Sequence, residues 1–274
     1  RYKEDILYEV EQLVSQGYKE VCLLGQNVNA YGKDLHIDYT FGNLLNDVAN
    51  TGIARIRFMT SHPWDFDDTM IEAIKNNKNI MPYIHLPIQS GNNEILKKMN
   101  RRYTREEYLA LFDKLKAELP GFAFTTDIIV GFPNESDEAF EDTLSAYNHC
   151  QYDNAFTFIY SKREGTPAAK MEDDIDRLVK EDRLRKLNDL VAFYANKNNQ
   201  KYKDQIVEVL VDGFSKRNAD VYSGYTPENK PVNFTGDHVK VGDLVKVKIT
   251  EVMSFSLNGV LYTDTENEGE KMKN

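Results

Sequence analysis

The sequence predicts an α/β fold, an incomplete (β/α) barrel, followed by a small antiparallel five-stranded β-barrel. Three observations carry that expectation. Helical patterns alternate with short apolar runs up to residue 161, a long helical stretch closes this region, and beyond it the hydrophobic period falls to two, with turn residues between short runs.

The elements follow in order. In "EDILYEVEQLVSQ" (4–16), Ile6, Leu7, Val10, Leu13 and Val14 recur at helical spacing and Gly17 stops the pattern. "KEVCLLG" then reads as a short strand buried on both faces. The pairing repeats: helical "FGNLLNDVAN" leads to "ARIRFMTS", "DDTMIEAIKNN" to "YIHLPIQSG", "TREEYLALFDKLKAELPG" to "FAFTTDIIVGFP", and "SDEAFEDTLSAYNHC" to "NAFTFIYS". Five helix–strand units imply a parallel sheet covered by helices. An eight-stranded barrel needs more units, so an incomplete barrel or an open sheet fits the count. A helix is expected over 176–198, where Leu184, Leu187, Val191 and Tyr194 are spaced three and four apart. After it, "QIVEVLVDG", "ADVYSGYT", "KPVNFTG", "LVKVKITEVMSF" and "LNGVLYT" read as five strands of a barrel of the oligonucleotide-binding type. The expected domains are 1–200 and 201–265, with a disordered tail over 266–274.

At 274 residues, 41% apolar and 28% charged, the chain has the composition of a globular protein. No apolar run approaches the roughly twenty residues of a spanning helix, and no secretory signal is present, so a soluble cytoplasmic protein without membrane contact is expected. The two cysteines, Cys22 and Cys150, exclude a disulfide framework and a metal quartet, and buried reduced thiols are the default. A net charge of −10 argues against broad electrostatic binding to nucleic acid but not against a local basic surface. The acid lies in residues 1–200 and the tail, whereas residues 201–250 carry 8 Lys and Arg against 7 Asp and Glu. The chain starts at Arg1, directly before a helical pattern, and reads as a fragment.

Ligands of parallel α/β sheets bind beyond the carboxyl ends of the strands. Those positions hold Gln26, Asn27 and Asn29; Thr60, Ser61 and His62; Gln89, Ser90 and Gly91; Asp127 and Gly131; and Tyr160 to Arg163. The inventory is amides, hydroxyls, glycine and one carboxylate, without a paired acid and base. Each residue has a plainer counterpart. Gln26 and Asn27 suit a turn, His62-Pro63 another, His85 a hydrogen-bonded core histidine, and Asp127 a structural acid. Lys97, Lys98, Arg101 and Arg102 suit a solvated face, and Ser136 or Asp137 a helix cap. A metal hydrolase using His62, His85 and Asp127 is a further reading, though the carboxylate-rich ligand shell of such enzymes is missing.

Four stretches, "LLGQNVNAYG", "RFMTSHPWDFDD", "HLPIQSGNNEILKKMNRRYT" and "DIIVGFPNESDEAFEDT", together resemble the radical S-adenosylmethionine methylthiotransferases. The likeness covers essentially the whole chain. It is closest to the branch that acts on N6-isopentenyladenosine in tRNA; the branch acting on threonylcarbamoyladenosine, or an RNA-binding module without chemistry, are the alternatives. The resemblance implies a TIM-like radical-SAM barrel lacking its first strand and cluster loop, followed by a TRAM domain. It also implies two 4Fe-4S clusters and S-adenosyl-L-methionine, cleaved to a 5′-deoxyadenosyl radical that abstracts hydrogen from C2 of the modified adenosine beside the anticodon. Gln89, Ser90, Gly91, Asp127, Ile129, Gly131, Phe158, Tyr160 and Ser61 are then expected around the cofactor. Gln26, Asn27, Asn29, Arg101 and Arg102 are expected toward the substrate or second cluster. Lys216, Arg217, Lys230, Lys246, Lys248, Tyr222 and Tyr225 are expected to meet RNA, with Phe234 and Phe255 as further stacking candidates. The family's cluster cysteines are absent from these 274 residues, so this chain is expected to bind neither cluster, to be inactive alone, and to pair with a missing N-terminal domain in a monomeric parent.

Overall fold

The computed structural model describes residues 1–33, 35, 38–59, 62–216 and 218–263. The chain divides into two compact units, one ending at Tyr194 and the other beginning at Ala195.

The first unit alternates helix and strand as the periodicity predicts: α1 (Lys3–Ser15), β1 (Glu20–Leu23), α2 (Phe41–Ala49), β2 (Arg55–Phe58), α3 (Asp68–Asn76), β3 (Tyr83–His85), α4 (Asn93–Lys98), α5 (Arg105–Glu118), β4 (Ala123–Val130), α6 (Asp137–Cys150), β5 (Asn154–Ile159) and the start of α7 (Arg177–Asn199). The starts of α2 to α6 are fixed by side-chain caps that accept orphan backbone N–H groups. Thr40 and Thr104 form capping boxes with Asn43 and Glu107, while Asp67, Asn92 and Ser136 cap α3, α4 and α6.

All strand pairings in this unit are parallel. β1 pairs with β2, and β3, β4 and β5 form a second ladder. Ile56 of β2 bridges Ile80, just before β3, through Ile56 N to Asn79 O and Met81 N to Ile56 O. Five strands therefore lie side by side in chain order, the arrangement of a barrel wall rather than of a doubly wound sheet with a reversal point. Alternation along the strands separates two faces. Val21, Ile56, Phe58, Ile84, Phe124, Ile128 and Val130 enter one apolar core with helix residues such as Leu45, Met70, Phe112 and Tyr147. Glu20, Arg57, Tyr83, His85, Thr125, Asp127, Phe156 and Phe158 occupy the other, inner face.

β1 departs from expectation. Only Val21 is buried in it, Cys22 is exposed, and Leu24 just beyond is 74% exposed. Its outer edge has no paired strand among the described residues and borders an open groove of about 840 Å³ lined by Val10, Leu13, Leu23 and Phe41. Cys150 is buried, as predicted.

The second unit is a closed barrel of β6 (Ile206–Ser215), β7 (Asn218–Tyr225), β8 (Pro231–Thr235), β9 (Leu244–Val252) and β10 (Leu257–Leu261). Four pairings are antiparallel, and closure is made by a parallel pairing of β10 with β8. Val209, Val211, Val232, Phe234, Val247, Ile249 and Leu257 fill its core. The expected tail, 266–274, lies outside the described residues.

Candidate functional site

At the carboxyl end of the parallel strands, local chemistry decides what each predicted residue does. The turn after β3 is built by Gln89, Ser90 and Gly91. Gln89 adopts a left-handed backbone (φ 68°), and its main chain bridges Ile128 of β4: Gln89 N donates to Asp127 O and Ile129 N donates to Gln89 O. Ser90 is fully buried, its hydroxyl 3.4 Å from Thr143 Oγ1, and Gly91 N donates to that same oxygen. A Cβ at Gly91 would lie 2.5 Å from Asp142 O. The hydroxyl and the bare backbone thus serve close packing of α6 on the turn, and Gln89 is itself buried at 8% exposure.

The turn after β4 is held from outside. Gly131 has φ 68°, its N–H donates to Glu135 Oε2 at 2.7 Å, and a Cβ there would meet the Lys180 side chain. Glu135 is buried and paired with Arg183, whose Nη1 lies 2.9 Å from Oε2 and whose Nη2 reaches Asp137 at 2.7 Å. Burial pushes the Glu135 carboxyl above the usual range, against the Gly131 N–H and the Arg183 charge. Lys180 pairs with Asp173. Tyr160 packs edge-on against Phe132 at 5.0 Å and donates to Ala168 O.

After β1 and β2, Asn27 and Asn29 link two loops. Asn27 Nδ2 donates to Asp65 Oδ2 at 2.5 Å, Lys33 Nζ lies 2.5 Å from Asp65 Oδ1, and Asn29 Nδ2 donates to His62 O. Gln26 is exposed. The His62 ring packs tilted against Trp64 (4.4 Å), which meets Tyr103 (5.7 Å), and Tyr103 donates to Ile88 O. Burial, then the charge of Arg101, holds the His62 imidazole below its ordinary pKa. Arg101 keeps a buried Nε with no hydrogen-bond partner among the described residues, whereas Arg102 is exposed. Lys98 donates to Asn134 Oδ1 and Lys97 is exposed. Ser61 lies outside the described residues.

Deeper along the inner face, His85 Nδ1 stands 2.9 Å from Thr125 Oγ1, which is 2.8 Å from the Tyr83 hydroxyl. His85 Nε2 stands 3.4 Å from Asp127 Oδ2, and its ring meets Phe156 edge-on at 5.9 Å. Phe156 and Phe158, on β5 at the end of the β3–β4–β5 ladder, are 47% and 51% exposed. Among the described residues no three His, Cys, Asp or Glu side chains gather as a metal site, so the hydrolase reading finds no ligand set.

These positions acquire a family from comparison with known proteins. Residues 1–146 match the radical SAM superfamily. The chain belongs to that superfamily. Radical SAM membership implies S-adenosylmethionine and 4Fe-4S chemistry. Residues 200–262 match the TRAM domain. The chain is 57% identical over 265 residues to the tRNA-2-methylthio-N(6)-dimethylallyladenosine synthase of Bacillus cytotoxicus, covering 96% of this chain and 52% of that relative. It is 56% identical over 265 residues to the synthase of the same name from Geobacillus kaustophilus, covering 96% of this chain and 50% of that one. The chain spans about half the length of the curated relatives it matches. Coproporphyrinogen III oxidase of Escherichia coli, a radical SAM enzyme, shares the fold with TM-score 0.52 and 13% identity, over 82% of this chain and 60% of that chain.

In the TRAM barrel, Lys216, Lys246 and Lys248 are exposed. Lys246 and Lys248 alternate with buried Val247 and Ile249, and Lys246 sits opposite Glu208. Lys230 is 6% exposed and closes the 226–230 turn, where Thr226 N donates to Lys230 O. Tyr222 is sandwiched between Phe214 (5.0 Å) and Phe234 (5.6 Å), both stacked on it. Phe234 is buried and Phe214 is 55% exposed, so sequence reasoning missed the outer ring of this stack: a register shift between Val211 and Gly213 breaks the alternation of β6 and sets Phe214 opposite Tyr222, on the face of Phe234. Tyr225 is 37% and Phe255 54% exposed. Arg217 lies outside the described residues. No helix among the described residues is long and apolar enough to cross a membrane.

Proposed function

We propose that this chain is the cofactor-binding and RNA-binding part of an enzyme that methylthiolates C2 of N6-isopentenyladenosine in tRNA. The observation that carries the reading is the identity of 57% over 265 residues, running through both units, to a synthase with that substrate in its name. The polar carboxyl end of the sheet supports it. Gln89 supplies an amide there, the left-handed Gly131 turn brings bare backbone, and Ile129 with Phe158 offers an apolar wall for the nucleoside of S-adenosylmethionine. The buried Nε of Arg101, without a hydrogen-bond partner among the described residues, fits an anion, either the carboxylate of that cofactor or an RNA phosphate. When bound, S-adenosylmethionine and the cluster supply the hydrogen-abstracting radical. The residues present do not fit the cluster itself: Cys22 is exposed on β1 and Cys150 is buried at the end of α6, and three thiolates are needed. In our reading those thiolates come from another part of the protein, and this chain alone is inactive.

The TRAM barrel supplies the nucleic-acid surface, with the Phe214–Tyr222 stack and Tyr225 for unstacked loop bases and Lys216 and Lys248 for phosphate. The test uses the full gene product, anaerobically reconstituted with iron and sulfide, given reductant, S-adenosylmethionine and isopentenyl-modified tRNA. Mass spectrometry of the digested nucleosides is expected to show a methylthio adduct on isopentenyladenosine. Cofactor cleavage that leaves this nucleoside unchanged would reject the substrate, and no cleavage by a fully loaded enzyme would reject the chemistry.

A further inference from the structure

Aromatic contacts in the first unit join into one line that leads away from the carboxyl end of the sheet. Trp64 sits in the turn Pro63–Asp65 after β2, 37% exposed, and its ring meets Tyr103 at 5.7 Å. Tyr103 meets Tyr108 at 6.0 Å, and the Tyr152 hydroxyl donates to that of Tyr108 at 2.8 Å. Tyr152 meets Tyr147 at 5.1 Å, and Tyr147 meets Tyr194 of α7 at 6.1 Å. These are the spacings of aromatic rings in direct contact. The middle of the line is dry, with Tyr108, Tyr147 and Tyr152 fully buried. Exposure returns at the far end, where Tyr194 is 9% exposed and its hydroxyl donates to the exposed Asn148 of α6.

Packing alone does not ask for this composition. Phenylalanine fills the same space without burying a hydroxyl, and Phe112, edge-on to Tyr152 at 5.3 Å, shows that the same core accepts it. The Tyr147 hydroxyl is buried with no hydrogen-bond partner among the described residues, which costs stability. Redox service is one reason for which a protein keeps such a group. All six side chains carry an indole or a phenol, which gives up one electron and one proton far more readily than a phenyl ring does.

We propose that Trp64, Tyr103, Tyr108, Tyr152, Tyr147 and Tyr194 form a conduit that drains an oxidising equivalent from the carboxyl end of the sheet to the outer helices. The assignment rests on the radical chemistry above and adds a means of disposal: a carbon-centred radical that misses its substrate is quenched before it attacks the protein. In the first step that radical takes a hydrogen atom from Trp64. A C–H bond forms, the indole N–H breaks, and the unpaired electron stays on the ring. Each tyrosine then restores its inner neighbour with one electron and one proton, breaking its own O–H. Between Tyr152 and Tyr108 the proton has a made path, the 2.8 Å hydrogen bond, which already points toward the site. At Tyr194 a small-molecule thiol restores the last phenol: S–H breaks, O–H forms, and two thiyl radicals combine as a disulfide. For each radical disposed of, one carbon centre is reduced and one thiol is oxidised.

Photochemistry on the 274-residue chain tests the conduit without cofactor or cluster. A ruthenium polypyridyl photo-oxidant is tethered at Arg102→Cys, beside Tyr103, and the exposed thiol of Cys22 is removed as Cys22→Ser. With 3,5-difluorotyrosine in place of Tyr194, a radical that arrives there shows fluorine splitting in the electron paramagnetic resonance spectrum. After a flash with a sacrificial cobalt(III) acceptor, the fluorine-split signal is expected, and added glutathione should discharge it. Tyr108→Phe and Tyr152→Phe should each abolish the splitting and leave the radical at the Trp64 end. A 3-aminotyrosine in place of Tyr152 keeps ring and hydroxyl but is more easily oxidised. It should hold the radical at that position, which separates a broken relay from a disturbed core. A fluorine-split signal that never appears, or that survives both phenylalanine variants and the aminotyrosine undiminished, overturns the conduit. In the reconstituted full gene product, Tyr108→Phe should keep the initial rate of cofactor cleavage and inactivate after fewer turnovers than the wild type. Equal endurance overturns the disposal role even where conduction holds. A loaded enzyme that cleaves no cofactor rejects the radical reading above and the disposal role with it, whereas the flash experiment judges the conduit by itself.

Discussion

At the scale of single residues, the carboxyl end of the sheet shows how neighbours decide whether a polar side chain is free for chemistry. Ser90 looks like a site residue in the sequence, yet its hydroxyl faces Thr143 and its burial is complete. Arg101 looks like one of four surface cations, yet its Nε is buried without a partner among the described residues. Arg101 also acts on His62, whose imidazole is disfavoured as a cation first by burial and then by that charge. A histidine whose folded pKa is depressed binds its proton at lower pH in the folded state than in the unfolded chain. Its contribution to stability is therefore full above about 6.5 and declines as the pH falls from there toward the folded midpoint. Titration by heteronuclear NMR is expected to place the His62 midpoint below 6.5. Arg101→Gln should move it upward but not fully back, because burial is the larger cause. A midpoint unmoved by Arg101→Gln would show that the guanidinium does not act on the ring.

At the scale of elements, α7 does more than close the first unit. Arg183 and Lys180 reach from it to the turn after β4, the first through Glu135 and the second against Gly131. Breaking a buried ion pair by removing one partner leaves the other charge uncompensated and costs about 3–5 kcal/mol. Arg183→Ala should lower the denaturant midpoint accordingly. Glu135→Gln, which keeps an oxygen for the Gly131 N–H, should cost clearly less; equal losses would mean that the pair does not govern the turn. This coupling was not legible in the sequence, since Glu135 and Arg183 are 48 positions apart and nothing local announces their meeting. What was legible is what local rules set: the five helix–strand units, the Ser136 cap and all five barrel strands. The double-sided burial expected for β1 failed for the complementary reason. An apolar run states what a strand would bury, not whether a neighbour lies at its edge.

At the scale of the whole molecule, the chain combines two solutions to the edge problem. Among the described residues the parallel sheet leaves one edge of β1 unpaired, whereas the second unit closes on itself through the parallel pairing of β10 with β8. A closed barrel with its own core of Val209, Val211, Val232, Phe234, Val247, Ile249 and Leu257 needs no other element to satisfy its ladders. Residues 195–274, produced alone, are therefore expected to unfold cooperatively in a thermal melt. RNA binding by this piece should follow its charge. Each phosphate neutralised on a single strand contributes about 0.7 to the slope of log affinity against log salt, so Lys216→Gln with Lys248→Gln should reduce that slope by about 1.4. Lys230→Gln should leave it unchanged, because Lys230 is buried in its turn. Phe214→Ala should instead weaken binding by about 1–3 kcal/mol without changing the slope, since stacking displaces no counterion. If Lys230 proved to carry the salt dependence and the exposed lysines did not, the RNA would lie on a different side of the barrel from the Phe214–Tyr222 stack, and the stack would be core packing that happens to reach the surface.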